Sequence, residues 1–458
     1  MHDLINCLLA LSVLVWISNG VYACRNVGNR LVFGVFHGML FLFLLGRPLI
    51  EILWTDDWIQ EEIQTFYFDE QGMVQAFSCI ALSMVCLRLG ACLGERLGNR
   101  EMIPHGKALD SAELQVIRVW TLAVFAAAAV CEAVFEGEKV LFIRAHSYLE
   151  YYTTYVSQLP YGIYAGSTFM EYAACIYLAT LPGRRGSWTV CGIMALTALP
   201  MFLMGNRAVL MLKLVFLFVY LVFRETLSHN GKWFGKWHCL VLAAALPGMM
   251  VLMNLINYTR ADSVMTAVGI VDILLDFVRK QGVTFSWLYA GCTIIDQLRA
   301  LCPVSYTFSP FLEYIGSGMI ASKLFGAAPL PADLVRRALA SHTLGDKLSY
   351  LVLGEAKYMA GHGTGTTYLL EVFSDFGFAG VGIFSLLLGT AMTAAWIWAR
   401  KRFSARIGML CAAQTLFFMP RSSAIDCFSF LWRAPFWLLI ASLAAVVWAY
   451  RIVCKRRM

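Results

Sequence analysis

The sequence contains little charge and no long hydrophilic stretch. Only 14% of its 458 residues are Asp, Glu, Lys or Arg, and 59% are hydrophobic, whereas water-soluble proteins have about 25% charged residues. A water-soluble globular fold cannot bury so much apolar surface, so that class is excluded. The mean hydropathy of +0.67 is typical of a chain that crosses a membrane several times.

Several motifs of known chemistry are also missing. The fourteen cysteines form no CxxC and no Cys/His pair with metal-ligand spacing, so neither a metal nor a cofactor is predicted. No glycine-rich segment has the spacing of a P-loop. The N-terminal Met-His-Asp lacks the basic residue of a signal peptide. Cys292 and Cys302 are either a disulfide or two buried thiols.

Eleven apolar stretches are long enough to cross a membrane, since a transmembrane helix needs about 20 apolar residues. We therefore predict an all-α polytopic membrane protein with about eleven spans. The predicted spans lie near residues 4–22, 31–54, 72–94, 116–134, 163–182, 188–204, 208–223, 239–256, 377–399, 407–420 and 431–450.

The basic residues alternate from one connection to the next. Six connections that share one side hold eighteen Lys and Arg, and the short connections on the other side hold four. Basic residues concentrate in cytoplasmic connections. The pattern predicts an outer N-terminus and a cytoplasmic C-terminus. The net charge of +7 is mostly this anchoring charge, so nucleic acid is not a predicted partner.

The spans divide the chain into three parts. Residues 1–256 contain spans one to eight, 257–376 form a large outer loop, and 377–458 contain spans nine to eleven with a basic tail. Amphipathic stretches in the loop favour helices that lie in the membrane interface or dip back into the protein: 265–280, 285–301 and 331–340. A second outer segment, 135–162, is rich in tyrosine. Its rings are typical of an interfacial belt, and they are also suited to stacking on sugars.

Four arginines depart from the cytoplasmic clustering and lie at predicted outer helix ends. They are Arg47, Arg207, Arg260 and Arg421. Each alone is explained by a side chain that snorkels to the interface. Together on one side they favour a phosphate site, because the planar guanidinium binds phosphate oxygens in pairs and stays charged.

A glycine- and threonine-rich segment, 361–377, leads into the ninth predicted span. Its backbone N–H groups could present donors to an anion, and its threonines could equally cap a helix. His362 is a candidate general base, because its ordinary pKa lies near physiological pH. Glu371 is a second candidate base, or a carboxylate that orients an arginine.

These residues resemble the Wzy-type O-antigen polysaccharide polymerases. The resemblance rests on the span number, the late outer loop and four short motifs in the same order. The motifs are Gly205-Asn206-Arg207, Phe277 to Val283, Gly361 to Gly377, and Met419-Pro420-Arg421. The related ligases differ at the third motif, where Gly363 follows His362 here.

The resemblance implies a GT-C-like arrangement and a metal-independent glycosyltransferase in the bacterial cytoplasmic membrane. Its substrates would be undecaprenyl-diphosphate-linked oligosaccharides, and its product an O-antigen or capsule. Arg47, Arg207, Arg260 and Arg421 would bind diphosphate, and His362 or Glu371 would accept the proton of the attacking hydroxyl. Membrane lipid, a chain-length regulator and a flippase are the expected partners.

Two other functions fit the same spans. An O-antigen ligase would move finished glycan to another acceptor. A lipid-linked glycan flippase or transporter would bind near the membrane midplane, and Arg88, Arg118, Lys213 and Arg433, which lie in or near predicted spans, keep that alternative open.

Overall fold

The computed structural model describes residues 1–54, 58–59, 69–100, 110–146, 148–228, 233, 269–302, 304–318, 322, 326, 330–331 and 334–455. Within these ranges the regular structure is helical, without strands. In chain order the helices are α1 His2–Cys24, α2 Val27–Trp54, α3 Glu70–Asn99, α4 Ser111–Ala145, α5 Tyr148–Thr154, α6 Tyr161–Ser167, α7 Met170–Ala179, α8 Arg184–Leu203, α9 Arg207–Leu227, α10 Ile270–Gln281, α11 Val283–Thr293, α12 Ile295–Leu301, α13 Ser309–Gly316, α14 Leu334–Ala340, α15 Leu344–Leu353, α16 Glu355–Met359, α17 Tyr368–Lys401, α18 Phe403–Ala413 and α19 Ala434–Lys455.

Seven of the described helices are long and apolar enough to cross a membrane, and each covers one predicted span. They are α1, α2, α3, α4, α8, α17 and α19. Helix α9 covers the predicted span 208–223, with Lys213 inside it. The predicted span 239–256 lies outside the described residues.

Two predicted spans are broken in the structure. The span 163–182 consists of α6 and α7, and at the break the Ser167 and Thr168 hydroxyls donate to carbonyl oxygens three residues earlier, at 2.9 and 2.7 Å. Such local bonds compete with helix continuation. The span 407–420 ends as a regular helix at Ala413, and 3₁₀ segments Leu416–Arg421 and Asp426–Leu431 follow. Mean hydropathy depends only on composition, so it does not detect such breaks.

The chain forms two compact units. Unit 1 comprises Met1–Arg96, Leu240–Ala394 and Thr415–Cys427. Unit 2 comprises Leu97–Cys239, Ala395–Gln414 and Phe428–Met458.

In unit 1, α3 and α17 cross at glycines. A Cβ at Gly90 would lie 2.1 Å from the Leu386 carbonyl oxygen, and one at Gly389 would lie 2.2 Å from that of Leu87. The Thr390 hydroxyl also donates to the Gly90 carbonyl, at 3.1 Å. Small residues of this kind let membrane helices approach backbone to backbone.

This crossing gives a first prediction. Gly90→Ala should destabilise the protein by more than the about 1–3 kcal/mol typical of overpacking, because the new methyl meets backbone rather than a movable side chain. Gly20→Ala in α1 is the matched control, since its Cβ meets nothing within 4 Å. Thermal unfolding in detergent measures both variants. Equal melting temperatures would contradict the close crossing.

The N-terminal part of unit 1 contains a π turn. Helix α2 has π geometry over Phe41–Leu45, shortly before Pro48. Proline has no N–H to donate and its ring crowds the carbonyl four residues earlier, so the wider turn accommodates it. The π turn directly precedes Gly46-Arg47, one of the predicted site segments.

The predicted outer segment contributes α10 to α16, which belong to unit 1. Helix α11 dips into the protein: its Phe285 ring packs on Phe77 of α3, with 4.7 Å between ring centroids. Cys292 and Cys302 are both free thiols, so the predicted disulfide alternative is wrong. Helix α17 begins in this region and kinks at Gly377, whose φ of 63° favours glycine.

Unit 2 is built around α4, which contacts α6, α7, α8 and α19. Helix α4 extends to Ala145, well beyond the predicted span end at 134. Helices α8 and α9 form the predicted tight hairpin across Met204 to Asn206. Arg118 and Arg406 donate to the Thr180 and Ala179 carbonyls, at 3.1 and 2.7 Å, and so satisfy the C-terminal end of α7.

Candidate active site

Two arginines from distant parts of unit 1 meet at one buried carboxylate. Glu51 in α2 has a side chain that is 4% exposed. Its Oε1 lies 2.6 Å from Arg279 Nε of α10 and 3.5 Å from Arg47 Nη2. Arg47 precedes Glu51 by one helical turn, so the geometry of α2 alone brings these two side chains together. Arg279 arrives from the loop that follows the predicted eighth span.

Glycines allow α2 and α10 to come this close. A Cβ at Gly282, where α10 ends, would lie 2.8 Å from the Arg47 backbone nitrogen. A Cβ at Gly46 would lie 2.5 Å from Val278 Cγ1. Any larger residue at either position would push the two helices apart and separate Arg279 from Glu51.

Arg421 lies in the same part of unit 1, and it comes from the 3₁₀ segment after α18. Its Nη1 donates to the backbone carbonyl and to the side-chain Oε1 of Gln281, both at 3.4 Å. The guanidinium carbon lies 5.7 Å from the centre of the Phe43 ring in α2. We call Arg47, Arg279 and Arg421, with Glu51 and Gln281, the arginine cluster.

Glu371 is fully buried beside the segment that carries Arg421. Its Oε1 accepts hydrogen bonds from the Ser423 and Thr366 hydroxyls, at 2.8 and 3.2 Å. Its Oε2 accepts from the Ala424 amide at 2.8 Å. The carboxylate therefore ties the glycine-rich segment to the two residues that closely follow Arg421.

Asp375, one turn after Glu371, holds a different loop. Its Oδ2 accepts from the Ser305 hydroxyl at 2.6 Å and from the Thr307 amide at 2.8 Å, and its Oδ1 accepts from the Tyr306 amide at 3.1 Å. Nearby, Lys347 donates to the Leu301 carbonyl at 2.6 Å, and burial lowers the pKa of its ammonium. These contacts fix the loop that precedes α13.

His362 is exposed at the start of the glycine-rich segment. Its amide donates to the Lys357 carbonyl at 3.1 Å, and the Thr364 amide donates to the Ser349 hydroxyl at 2.9 Å. The Thr367 hydroxyl accepts from the Leu369 amide at 3.4 Å, as a helix cap does. These three amides of the segment thus have partners within the protein.

The structure brings together two of the four predicted arginines, Arg47 and Arg421. Arg260 lies outside the described residues, and so does the side chain of Arg207, whose backbone begins α9. Sequence reasoning missed Arg279, Glu51 and Gln281 as site residues. A signal existed for Glu51, because an acid inside a predicted span, four residues after an arginine, calls for a paired role.

The arginine cluster has the chemistry of an anion site. Guanidinium groups that converge from three segments are held before any ligand arrives, and Glu51 offsets part of their repulsion. Helices α10 and α2 fix the groups by backbone packing, so little reorganisation is needed on binding. In the described part of the chain, no three His, Cys, Asp or Glu side chains converge as a metal site requires.

These features define a helical integral membrane protein that carries a convergent arginine site. A family model of the O-antigen polysaccharide polymerase Wzy matches residues 1–456, essentially the whole chain, and the chain belongs to that family. No curated protein and no solved structure matches the chain.

Family membership confirms the resemblance drawn from the four motifs. The protein is a membrane-embedded, glycosyltransferase-type polymerase of O-antigen repeat units, and its substrates are lipid-linked oligosaccharides.

Proposed function

We propose that this protein extends a surface polysaccharide, O-antigen or capsule, at the outer face of the cytoplasmic membrane. It transfers the growing glycan from undecaprenyl diphosphate onto a sugar hydroxyl of a new lipid-linked repeat unit. The observation that carries the proposal is the convergence of Arg47, Arg279 and Arg421 around Glu51 and Gln281.

The reaction places most of its new negative charge on the leaving group. The bond between the anomeric carbon and the diphosphate oxygen breaks, and its electron pair stays on undecaprenyl diphosphate. A hydroxyl oxygen of the acceptor sugar forms the new glycosidic bond and loses its proton. Fixed guanidinium groups stabilise the departing diphosphate as this charge develops, without a nucleotide or a metal ion in our proposal.

The arginine cluster is assigned to this diphosphate, with Arg207 and Arg260 as further ligands. Glu371 has both oxygens occupied by donors of the Arg421 segment, so we assign it a positioning role. His362 is exposed and is the candidate that we assign to the acceptor proton. General bases of this kind contribute about 10²–10⁴-fold in rate.

The transporter alternative loses some of its support. Arg88 donates to the Ser18 hydroxyl at 2.6 Å and lies over the Tyr22 ring, and Arg118 satisfies the end of α7. Both therefore have structural partners. The charge pattern of the connections supports an outer N-terminus and a cytoplasmic C-terminus. A flippase and a chain-length regulator are then neighbouring proteins that supply substrate and set polymer length.

The test compares surface glycan and lipid-linked intermediates from cells with and without the gene. We expect the polymer ladder to disappear while single repeat units still reach the outer face. Repeat units trapped on the inner leaflet would point to a flippase, and accumulated lipid-linked polymer to a ligase. An intact ladder would rule out the proposed polymerase.

A further inference from the structure

Unit 2 contains charged side chains on its apolar helices, within the predicted spans or just beyond their ends. Glu132, Glu136 and Lys139 lie on α4, Glu171 lies on α7, and Lys213 lies on α9. We call these five residues the unit 2 charged cluster. Ionisable groups within membrane helices are costly, and they usually face a cavity with a function. None of them belongs to the arginine cluster.

Direct contacts join four residues of the cluster in two ion pairs, one between α9 and α7 and one within α4. Lys213 forms an ion pair with Glu171 and donates to Gln414 Oε1 at 3.1 Å. Lys139 donates to Glu136 Oε1 at 2.5 Å. The charges of the other four residues all act on Glu132, so the two ion pairs belong to one group.

Two carboxylates of the cluster retain capacity to accept hydrogen bonds. Glu136 is 8% exposed, and its Oε2 is buried without a hydrogen-bond partner among the described residues. A buried carboxylate oxygen in that state is costly unless a ligand donor completes it. The Glu171 side chain is 45% exposed, although its helix is otherwise mostly buried.

Aromatic rings flank the same carboxylates. Lys139 Nζ lies 4.1 Å from the centre of the Phe135 ring, which packs against Tyr164 with 5.5 Å between centroids. Tyr164 and its neighbour Tyr161 are 46% and 55% exposed. Beside Glu171, the Tyr172 ring packs on Phe436 at 5.7 Å.

The composition of the cluster selects the ligand class. Three carboxylates face two ammonium groups, and the charge of Arg433 also acts on Glu171. Such a balance gives a phosphate little net attraction. Paired acceptors and donors beside aromatic rings suit a neutral ligand with many hydroxyl groups. Carboxylate and amide side chains bind such hydroxyl groups through hydrogen bonds.

We propose that the unit 2 charged cluster, with the Phe135, Tyr161 and Tyr164 rings, is a binding site for the sugars of the lipid-linked repeat unit. Glu136 Oε2 accepts a hydrogen bond from a sugar hydroxyl, and Tyr164 packs on a sugar face. This inference rests on the proposed polymerase function for the identity of the sugar. It adds a glycan site to the diphosphate site.

The test uses the full-length protein in nanodiscs and two readouts. The first is binding of the repeat-unit oligosaccharide, measured by saturation-transfer NMR. The oligosaccharide is released by mild acid from the lipid carrier, which is isolated from cells that lack this protein. The second is the KM and kcat of polymerisation with the intact lipid-linked unit. Glu136→Ala and Tyr164→Ala are compared with Glu150→Ala, at an exposed carboxylate on α5.

Wild-type protein and Glu150→Ala should bind the free oligosaccharide, and Glu136→Ala and Tyr164→Ala should not. Glu136→Ala should raise KM about tenfold, as the loss of one hydrogen bond to a charged group does, and Tyr164→Ala should raise KM in the same direction, with kcat changed less than about threefold in both variants. Arg421→Ala should keep oligosaccharide binding and lose polymerisation.

Separate results would overturn the two proposals. The glycan site is wrong if wild-type protein polymerises but does not bind the free oligosaccharide. It is also wrong if folded Glu136→Ala and Tyr164→Ala variants bind the oligosaccharide normally and keep their KM. If wild-type protein binds the oligosaccharide but makes no polymer from the lipid-linked unit, the polymerase proposal fails and the glycan site stands.

Discussion

Arg421→Ala is expected to abolish the polymer ladder while the protein stays in the membrane at its normal level. Arg421 is the one member of the arginine cluster that lies on a 3₁₀ segment, and Gln281 and Phe43 hold it in place. Removing one preorganised charge donor to a leaving group lowers kcat by about 10²–10³-fold. In cells, a fall in kcat of this size leaves single, unpolymerised repeat units.

Controls separate this loss of catalysis from misfolding. Arg337→Ala removes an exposed arginine from α14 and should leave the ladder unchanged. Arg421→Lys should retain a weak ladder of short chains, since lysine keeps the charge and loses the planar fork. The measurements are a glycan gel and an immunoblot of the same membranes. A full ladder from Arg421→Ala at normal protein level would remove Arg421 from the site.

Glu371→Ala and Glu371→Gln should have opposite effects on polymerisation. Glu371→Ala should abolish the ladder and lower thermal stability, because one buried amide and two half-buried hydroxyls lose their acceptor. Each unsatisfied buried donor costs about 1–3 kcal/mol. Glu371→Gln should keep most activity. The glutamine carbonyl can accept from the Ala424 amide, and the Ser423 and Thr366 hydroxyls can rotate to accept from the glutamine NH₂.

This pair of variants decides between positioning and proton transfer. A general base cannot be replaced by glutamine, which has no basic oxygen of comparable strength. A folded Glu371→Gln enzyme whose kcat falls as far as that of Glu371→Ala would therefore identify Glu371 as the base. Glu355→Gln, at an exposed carboxylate in α16, provides the matched control. Initial rates and melting temperatures in the same detergent complete the comparison.

Composition and charge were sufficient to predict much of the fold. Long apolar runs such as 72–94 and 431–450 produce helices because few other structures satisfy the backbone within lipid, and α3 and α19 occupy them. The broken segments were not predictable in this way. The break at Ser167 and Thr168 lies inside an apolar run, and it leaves the average hydropathy of that run unchanged.

The candidate site was predicted less completely than the fold. Arg47 and Arg421 stood out because each is an isolated charge at a predicted outer helix end. Arg279 was given no site role, although it lies in the Phe277 to Val283 motif on which the family resemblance rests. Its partner Glu51 lies 228 residues away in the chain, and only tertiary packing at Gly282 brings the two together.

The π turn at Phe41–Leu45 also determines the direction in which the following residues point. It takes one residue more than an α-helical turn, and one residue corresponds to about 100° of rotation around a helix axis. Without that extra residue, Arg47 and Glu51 would both be rotated by this angle, and Arg279 would have no carboxylate opposite it. The helical phase set by a single inserted residue is therefore a condition for the arginines to meet, and Pro48 helps to keep that insertion in place.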